Sequence, residues 1–244
     1  FGLPDNDDLF FKPIYRQRHY HCSEESHFSH LTTTEIAHIM NIYLHLESVE
    51  HVLLPLGVIG LPQHSDGVDL RKFYLEHLAA DGFLTDKLDA EKQFVSLMVF
   101  KRLKECDGWY SLEKYVQSNN HQENPKFNDL LHTAITSLNG AGVAHLDLRP
   151  ANIMVKVDNK HSITDVTFID FEDASVFGDC LSENMAKAYT SDCRYPNFSA
   201  DDPFVSKDHN NHFFKLVTSW LRSDPANISF GQFACTQSDK CHCS

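Results

Sequence analysis

The sequence predicts an α+β fold in which a small antiparallel sheet with one helix precedes a mainly helical part. Short apolar runs have the length of strands, and they occupy residues 9–14, 52–59 and 94–100. Apolar side chains recur at helical spacing in residues 32–46, 127–138 and 208–221. The composition agrees, because 42% hydrophobic and 11% aromatic residues are typical of a folded globular protein.

The first predicted strand and the helix after it each carry a charged residue of interest. Lys12 lies in the strand, and Glu35 lies near the start of the helix over residues 32–46. Thr32-Thr33-Thr34-Glu35 also matches a capping box, in which the glutamate bonds the first amide of its own helix. Glu35 can therefore either pair with Lys12 or cap the helix, and the sequence leaves both interpretations open.

The second half contains the clearest helix, and it leads directly into a polar loop. The apolar face over residues 127–138 ends before Gly140 and Gly142, which are typical stop signals. Two short strands follow at residues 153–157 and 166–169, and residues 172–206 lack periodicity, as a long loop does. The loop at residues 145–152 is thus expected between the long helix and a strand pair.

Three polar residues near these elements suit phosphoryl transfer. Asp147 stands in the loop, Asn152 follows it by five residues, and Asp170 comes directly after the second strand. Transfer from a nucleotide needs one carboxylate that orients or deprotonates the acceptor hydroxyl, and oxygen ligands that hold Mg²⁺ over the phosphates. Asp147 supplies the first group, and Asn152 and Asp170 supply the others.

The stretch HLDLRPANIMV, together with the later FIDFEDA, resembles the protein-kinase-like superfamily. The resemblance extends over residues 9–221 and is strongest over residues 127–173. It implies a two-lobed α+β fold with a small antiparallel β lobe at residues 1–103 and a mainly α-helical, shortened C-lobe at residues 104–225. A Cys-rich polar tail at residues 226–244 would follow. ATP and Mg²⁺ are the implied cofactors.

The resemblance also assigns roles near the transferred phosphate. Asp147 is the implied catalytic base, and Arg149 would neutralise charge on the phosphate, where protein serine/threonine kinases usually carry a lysine. Asn152 and Asp170 are the implied Mg²⁺ ligands. Lys12 occupies the place of the phosphate-binding lysine, with Glu35 as its partner on the helix.

Further roles concern the adenine and the support of the loop. Phe100 would be the gatekeeper, residues from Lys101 to Leu103 the hinge that bonds the adenine edge, and Met154 the apolar floor beneath it. His145 is expected to pack against Phe171 and not to transfer protons. Asp208, at the start of the last predicted helix, is expected to brace the loop from below.

Several departures from the family affect the expected function. No Gly-rich phosphate loop precedes Lys12, Leu146 replaces an arginine that reads a phosphorylated activation loop, and few residues follow Leu221. Glu172 replaces a glycine, which makes Asp-Phe-Glu similar to choline and ethanolamine kinases. We expect a divergent protein serine/threonine kinase. A small-molecule kinase of the choline or aminoglycoside type, or a pseudokinase that binds without turnover, remains the alternative.

Charge and cysteines limit the partners and the compartment. A formal net charge of −13 argues against nucleic-acid binding, and no apolar run has the length of a membrane helix. The seven cysteines are irregularly spaced, which favours reduced thiols over a disulfide framework. We therefore expect a cytoplasmic protein that acts on a protein substrate or a small-molecule acceptor, with no nucleic-acid or membrane partner.

Overall fold

A computed structural model describes residues 8–13, 15–18, 27–30, 33–61, 95–118, 125–181, 204–223 and 225–237. Within these ranges the fold is α+β with small antiparallel sheets, as the sequence predicts. The chain forms two compact units. The first comprises Phe1–His38 and Pro55–Arg102, and the second comprises Ile39–Leu54 and Leu103–Ser244.

The first unit is built on antiparallel strands. Their bounds are β1 (Leu9–Pro13), β2 (Tyr15–Arg18), β3 (His27–His30), β4 (Pro55–Leu61) and β5 (Val95–Lys101). Strands β1, β5 and β4 form one sheet with β5 in the centre, and β2 pairs with β3. Met98, Val99 and Phe100 of β5 are buried, which agrees with the apolar run that predicts this strand. Helix α1 (Thr33–His45) begins in this unit.

The second unit combines helices with two small sheets. Its remaining elements are β6 (Trp109–Ser111), α2 (Leu112–Ser118), α3 (Pro125–Gly140), β7 (Val143–Ala144), β8 (Ile153–Val157), β9 (Ile163–Phe168), β10 (Ser175–Val176), α4 (Lys207–Arg222) and α5 (Phe230–Thr236). Strands β6, β8 and β9 form one antiparallel sheet, and β7 pairs with β10. Helices α3 and α4 pack together and bury the apolar faces that the sequence predicts.

The segment after α1 is joined to β9 by main-chain bonds. Leu53 N donates to Phe168 O at 3.0 Å, and Phe168 N donates to His51 O at 2.8 Å. The His51 ring adds a bond from Nδ1 to Val166 O at 2.9 Å. The segment that follows α1 is therefore fixed beside the strand that leads to Asp170.

The described part of the C-terminal segment is folded, although the sequence predicts only a polar tail. Ser229 caps α5 and forms a capping box with Gln232. Trp220 of α4 donates from Nε1 to Ile228 O at 2.8 Å and contacts the Phe230 ring edge-on. A seven-residue helix is too short for a periodic signal in the sequence, and packing on Trp220 supplies its stability.

The described cysteines include both free and disulfide-bonded residues. Cys106 and Cys180 are free, whereas Cys235 is disulfide-bonded. The expectation of reduced thiols is therefore wrong at Cys235, because sequence spacing does not show which cysteines lie close together in the fold. The described helices contain none that is long and apolar enough to cross a bilayer.

Candidate active site

The loop after β7 alternates buried and accessible side chains. Leu146 and Leu148 are buried, whereas the side chains of Asp147 and Arg149 are 18% and 42% exposed. Leu146 has a φ of 63°, in the left-handed region that residues with a Cβ atom seldom adopt. Burial of the two leucines holds the loop in a conformation that leaves Asp147 and Arg149 accessible.

The Asn152 side chain is buried and binds Asp147 twice. Its amide nitrogen donates to the Asp147 main-chain oxygen at 2.9 Å and to Oδ2 at 3.0 Å. An asparagine amide has two N–H hydrogens, so both are used within the loop. The amide oxygen, Oδ1, is the atom of this side chain that could bind a cation.

Arg149 adds a positive charge beside the same carboxylate. Its Nε lies 3.2 Å from Asp147 Oδ2, as a close ion pair that is not aligned as a hydrogen bond. The guanidinium has further N–H donors on its two terminal nitrogens. Arg149 can therefore hold the Asp147 carboxylate and still offer donors to an anionic group such as a phosphate.

Asp170 follows β9 and is joined to the loop through the main chain of its neighbour. Ile169 N donates to Asn152 O at 3.1 Å, and His145 Nε2 donates to Ile169 O at 2.9 Å. Asp170 itself has a φ of 69°, in the left-handed region. These bonds hold the main-chain segment that carries Asp170 next to Asn152.

His145 is a structural residue of this loop. It is fully buried, and its ring lies 4.5 Å from the Phe171 ring, which confirms the expected packing. Its Nδ1 accepts from Asp147 N at 3.4 Å while Nε2 donates to Ile169 O. Burial lowers the pKa of His145, which keeps the ring neutral near pH 7. Both ring nitrogens are thus occupied by the main chain.

Tyr43 belongs to this cluster, and the sequence reveals only its apolar character. Its ring contacts the Phe171 ring edge-on, with 5.8 Å between the ring centroids. Burial strongly raises the pKa of the Tyr43 hydroxyl, and the nearby carboxylates of Asp170 and Glu172 raise it further. The helical periodicity of α1 marks Tyr43 as a core position but cannot show that its ring meets the Phe171 ring.

The loop is braced by Asn210 and not by Asp208, so that expectation is wrong. Asp208 is exposed in the first turn of α4, where its amide bonds the Ser206 hydroxyl. Asn210 is fully buried; its Oδ1 accepts from His145 N at 3.0 Å, and its Nδ2 donates to Val143 O at 2.8 Å. Asn210 lies on the same helical face as Phe213 and Val217, which is the signal that would have revealed it.

Substitution of Asn210 by alanine is expected to lower the free energy of unfolding by about 2–4 kcal/mol, because it leaves buried main-chain groups of His145 and Val143 without partners. Asn211→Ala is the matched control. Its side chain accepts only one bond in the described structure, from Asn139 at 3.3 Å, and should cost less than about 1 kcal/mol. Urea unfolding of both variants measures the difference, and equal losses would contradict the bracing role.

The donor set suits Mg²⁺, which prefers carboxylate and amide oxygens and keeps several waters. Asn152 Oδ1 and the Asp170 carboxylate are oxygen donors of this kind. The described residues contain no cluster of three His, Cys, Asp or Glu side chains that could hold a metal by themselves. A cation here would accordingly need phosphate oxygens and water to complete its shell.

The other predicted site residues lie in both units. Lys12 is half-buried in β1 opposite Met98, Phe100 is buried and Lys101 is exposed, all within the first unit. Leu103 and Met154 are half-buried in the second unit. The roles of these five residues toward ATP stay predictions.

Glu35 lies in the first turn of α1, which begins at Thr33 within the described residues. Its side chain and Thr32 lie outside what the structure describes. Both interpretations of Glu35, as the partner of Lys12 and as a helix cap, therefore stay open.

Comparison with known proteins identifies no relative. No protein-family model matches the sequence, and no curated protein matches it.

Proposed function

We propose that the chain is an ATP- and Mg²⁺-dependent phosphotransferase that acts on a hydroxyl group. The observation that carries the proposal is the position of Asn152. Its amide nitrogen binds Asp147, and its main-chain oxygen binds the residue before Asp170. The proposed general base and the two proposed oxygen ligands are thus linked through one residue, Asn152, by its side chain and its main chain, and they form the set that phosphoryl transfer needs.

Each residue has a definite role in this proposal. Asp147 orients the acceptor hydroxyl and accepts its proton, and Arg149 compensates negative charge on the phosphate in transfer. Asn152 and Asp170 hold Mg²⁺, which neutralises charge on the nucleotide phosphates when it is bound. Lys12 would bind phosphate oxygens, with Glu35 as its candidate partner. His145 and Phe171 fix the loop and take no part in proton transfer.

The proposed fold is the two-lobed, protein-kinase-like one. Its support is the division into compact units between Arg102 and Leu103, where the sequence predicts the hinge. A further support is the order of the described elements, in which the three-stranded sheet of the first unit precedes α3 and the loop from His145 to Asn152.

The acceptor we propose is a serine or threonine of a protein. A small alcohol is the second candidate, and the observation that favours it is Glu172, which makes the segment after β9 similar to that of choline kinases. Transfer of labelled phosphate to protein substrates, compared with transfer to amino alcohols such as choline, separates the two. A chain that binds Mg²⁺-ATP without transfer to either would be a pseudokinase.

Mg²⁺-ATP is expected to raise the melting temperature of the full chain by about 5–10 °C at a ligand concentration near 100 times Kd, because only the folded state binds it. ATP with EDTA should give a much smaller shift, since Asn152 and Asp170 then have no cation to share with the phosphates. Mg²⁺ alone is the control.

The outcomes of this melting experiment distinguish the parts of the proposal. An equal shift with and without Mg²⁺ would show that Asn152 and Asp170 do not act as ligands. No shift under either condition would refute nucleotide binding altogether.

A further inference from the structure

The segment just before α5 presents four consecutive exposed side chains. Residues from Ala226 to Ser229 are exposed, whereas Pro225 before them and Phe230 after them are buried. Trp220 holds the main chain of this segment, because its Nε1 donates to Ile228 O at 2.8 Å. The segment therefore has anchored ends and a tip whose side chains are open to solvent.

This tip contains the triplet Asn227-Ile228-Ser229, which is an acceptor sequence for N-linked glycans. Such triplets also occur by chance, and the Ser229 hydroxyl has a local role as the cap of α5, where it accepts from Gln232 N at 3.3 Å. A usable acceptor must lie on the surface, in a protein that enters the secretory pathway. Asn227 meets the first condition, because it is exposed in a turn.

The second condition is supported by Cys235 on α5, the helix that follows the triplet directly. Cys235 is disulfide-bonded. Disulfides form and persist in oxidising compartments such as the lumen of the endoplasmic reticulum, and they are rare in the cytosol. The triplet and the disulfide thus indicate the same compartment through unrelated chemistry. The expectation of a cytoplasmic protein relied on reduced thiols, and it loses that support at Cys235.

We propose that the chain folds in the lumen of the secretory pathway and carries an N-linked glycan on Asn227. In the transfer, Asn227 Nδ2 forms a bond to the anomeric carbon of an oligosaccharide and releases one proton. The bond from that carbon to the diphosphate of a lipid-linked donor breaks, and its electron pair leaves with the diphosphate. The glycan extends from the exposed tip, so the buried contact between Trp220 and Phe230 is kept. This inference does not depend on the proposed phosphotransferase function.

The test directs the full chain into the endoplasmic reticulum of cultured cells with a cleavable signal peptide. Asn197, in the other such triplet of the sequence, lies outside the described residues and is changed to glutamine in every chain tested. Peptide N-glycosidase should then increase the mobility of the chain on a gel by one glycan step, and mass spectrometry should find Asn227 converted to aspartate. The same chain expressed in the cytosol is the control and should show neither change.

Two variants and one labelling experiment sharpen this test. Asn227→Gln should lose the glycan completely, because it removes the acceptor nitrogen. Ser229→Thr is the matched control and should keep the glycan, since threonine preserves both the acceptor triplet and a capping hydroxyl. Alkylation before reduction should label the free Cys106 and Cys180 of the lumenal chain but not Cys235.

Three results would overturn the inference. An unmodified Asn227 in the lumenal chain would show that the triplet is not an acceptor, and this measurement needs no variant to fold. A glycan that persists in Asn227→Gln would place it on another residue. Alkylation of Cys235 without reduction in the lumenal chain would contradict folding in an oxidising compartment.

Discussion

Replacement of Asp147 by alanine is expected to lower turnover by about 10²–10⁴-fold, while the affinity for Mg²⁺-ATP stays near its wild-type value. The carboxylate is proposed to serve the acceptor hydroxyl, so its loss removes orientation and proton acceptance. Asn152 keeps its bond to the main-chain oxygen of residue 147, and its own oxygen should therefore stay in place. Steady-state transfer and nucleotide titration measure the two effects separately.

Asp129→Ala is the control for this change, because Asp129 is an exposed aspartate on α3 and outside the site. It should retain full transfer. If wild-type transfer is measurable and survives in Asp147→Ala, another residue acts as the base or a contaminating kinase is being assayed. If the wild type transfers no phosphate, the result supports the pseudokinase alternative.

Asp170→Asn is expected to reduce Mg²⁺-dependent ATP binding and transfer to background while the chain stays folded. The amide has nearly the volume of the carboxylate but lacks the charge that a divalent cation requires. Calorimetric titration with ATP in the presence and absence of Mg²⁺ measures the loss, and circular dichroism verifies the fold.

The matched control is Asp165→Asn on β9, the strand that precedes Asp170, where the Asp165 side chain is 44% exposed and lies beside His51. It makes the same chemical change five residues earlier and should bind Mg²⁺-ATP as the wild type does. Full phosphotransferase activity in Asp170→Asn would remove Asp170 from the site.

Local sequence patterns are enough to predict the helices and strands that bury one regular face. Helix α3 shows the predicted period and buries Phe127, Leu131 and Leu138, and the strand pair β8 and β9 lies where short apolar runs predict it. The position of the loop that carries Asp147 and Asn152 can be predicted as well, because the elements on either side of it fix both of its ends. These features depend on residues that are close together in the sequence, so the amino-acid sequence alone is enough to predict them.

The contacts around the loop depend on residues distant in sequence, and there the prediction fails. Asn210 and Asp208 are both polar residues at the start of α4. Helical periodicity places Asn210 on the buried face, but its bonds to His145 and Val143 follow only from the tertiary structure. The contact between the Tyr43 and Phe171 rings likewise joins residues that lie far apart in the sequence. Periodicity identifies a buried position, but the partner of a polar group within that position is a tertiary property.

The backbone at Asp170 has a consequence for directed evolution. A φ of 69° costs a residue with a Cβ atom about 1 kcal/mol or more, and glycine would adopt it without strain. Glycine, however, has no side chain and therefore offers no oxygen to a metal ion. Selection for thermal resistance alone would therefore favour a substitution that erases the proposed metal ligand, so that durability and activity compete at this position.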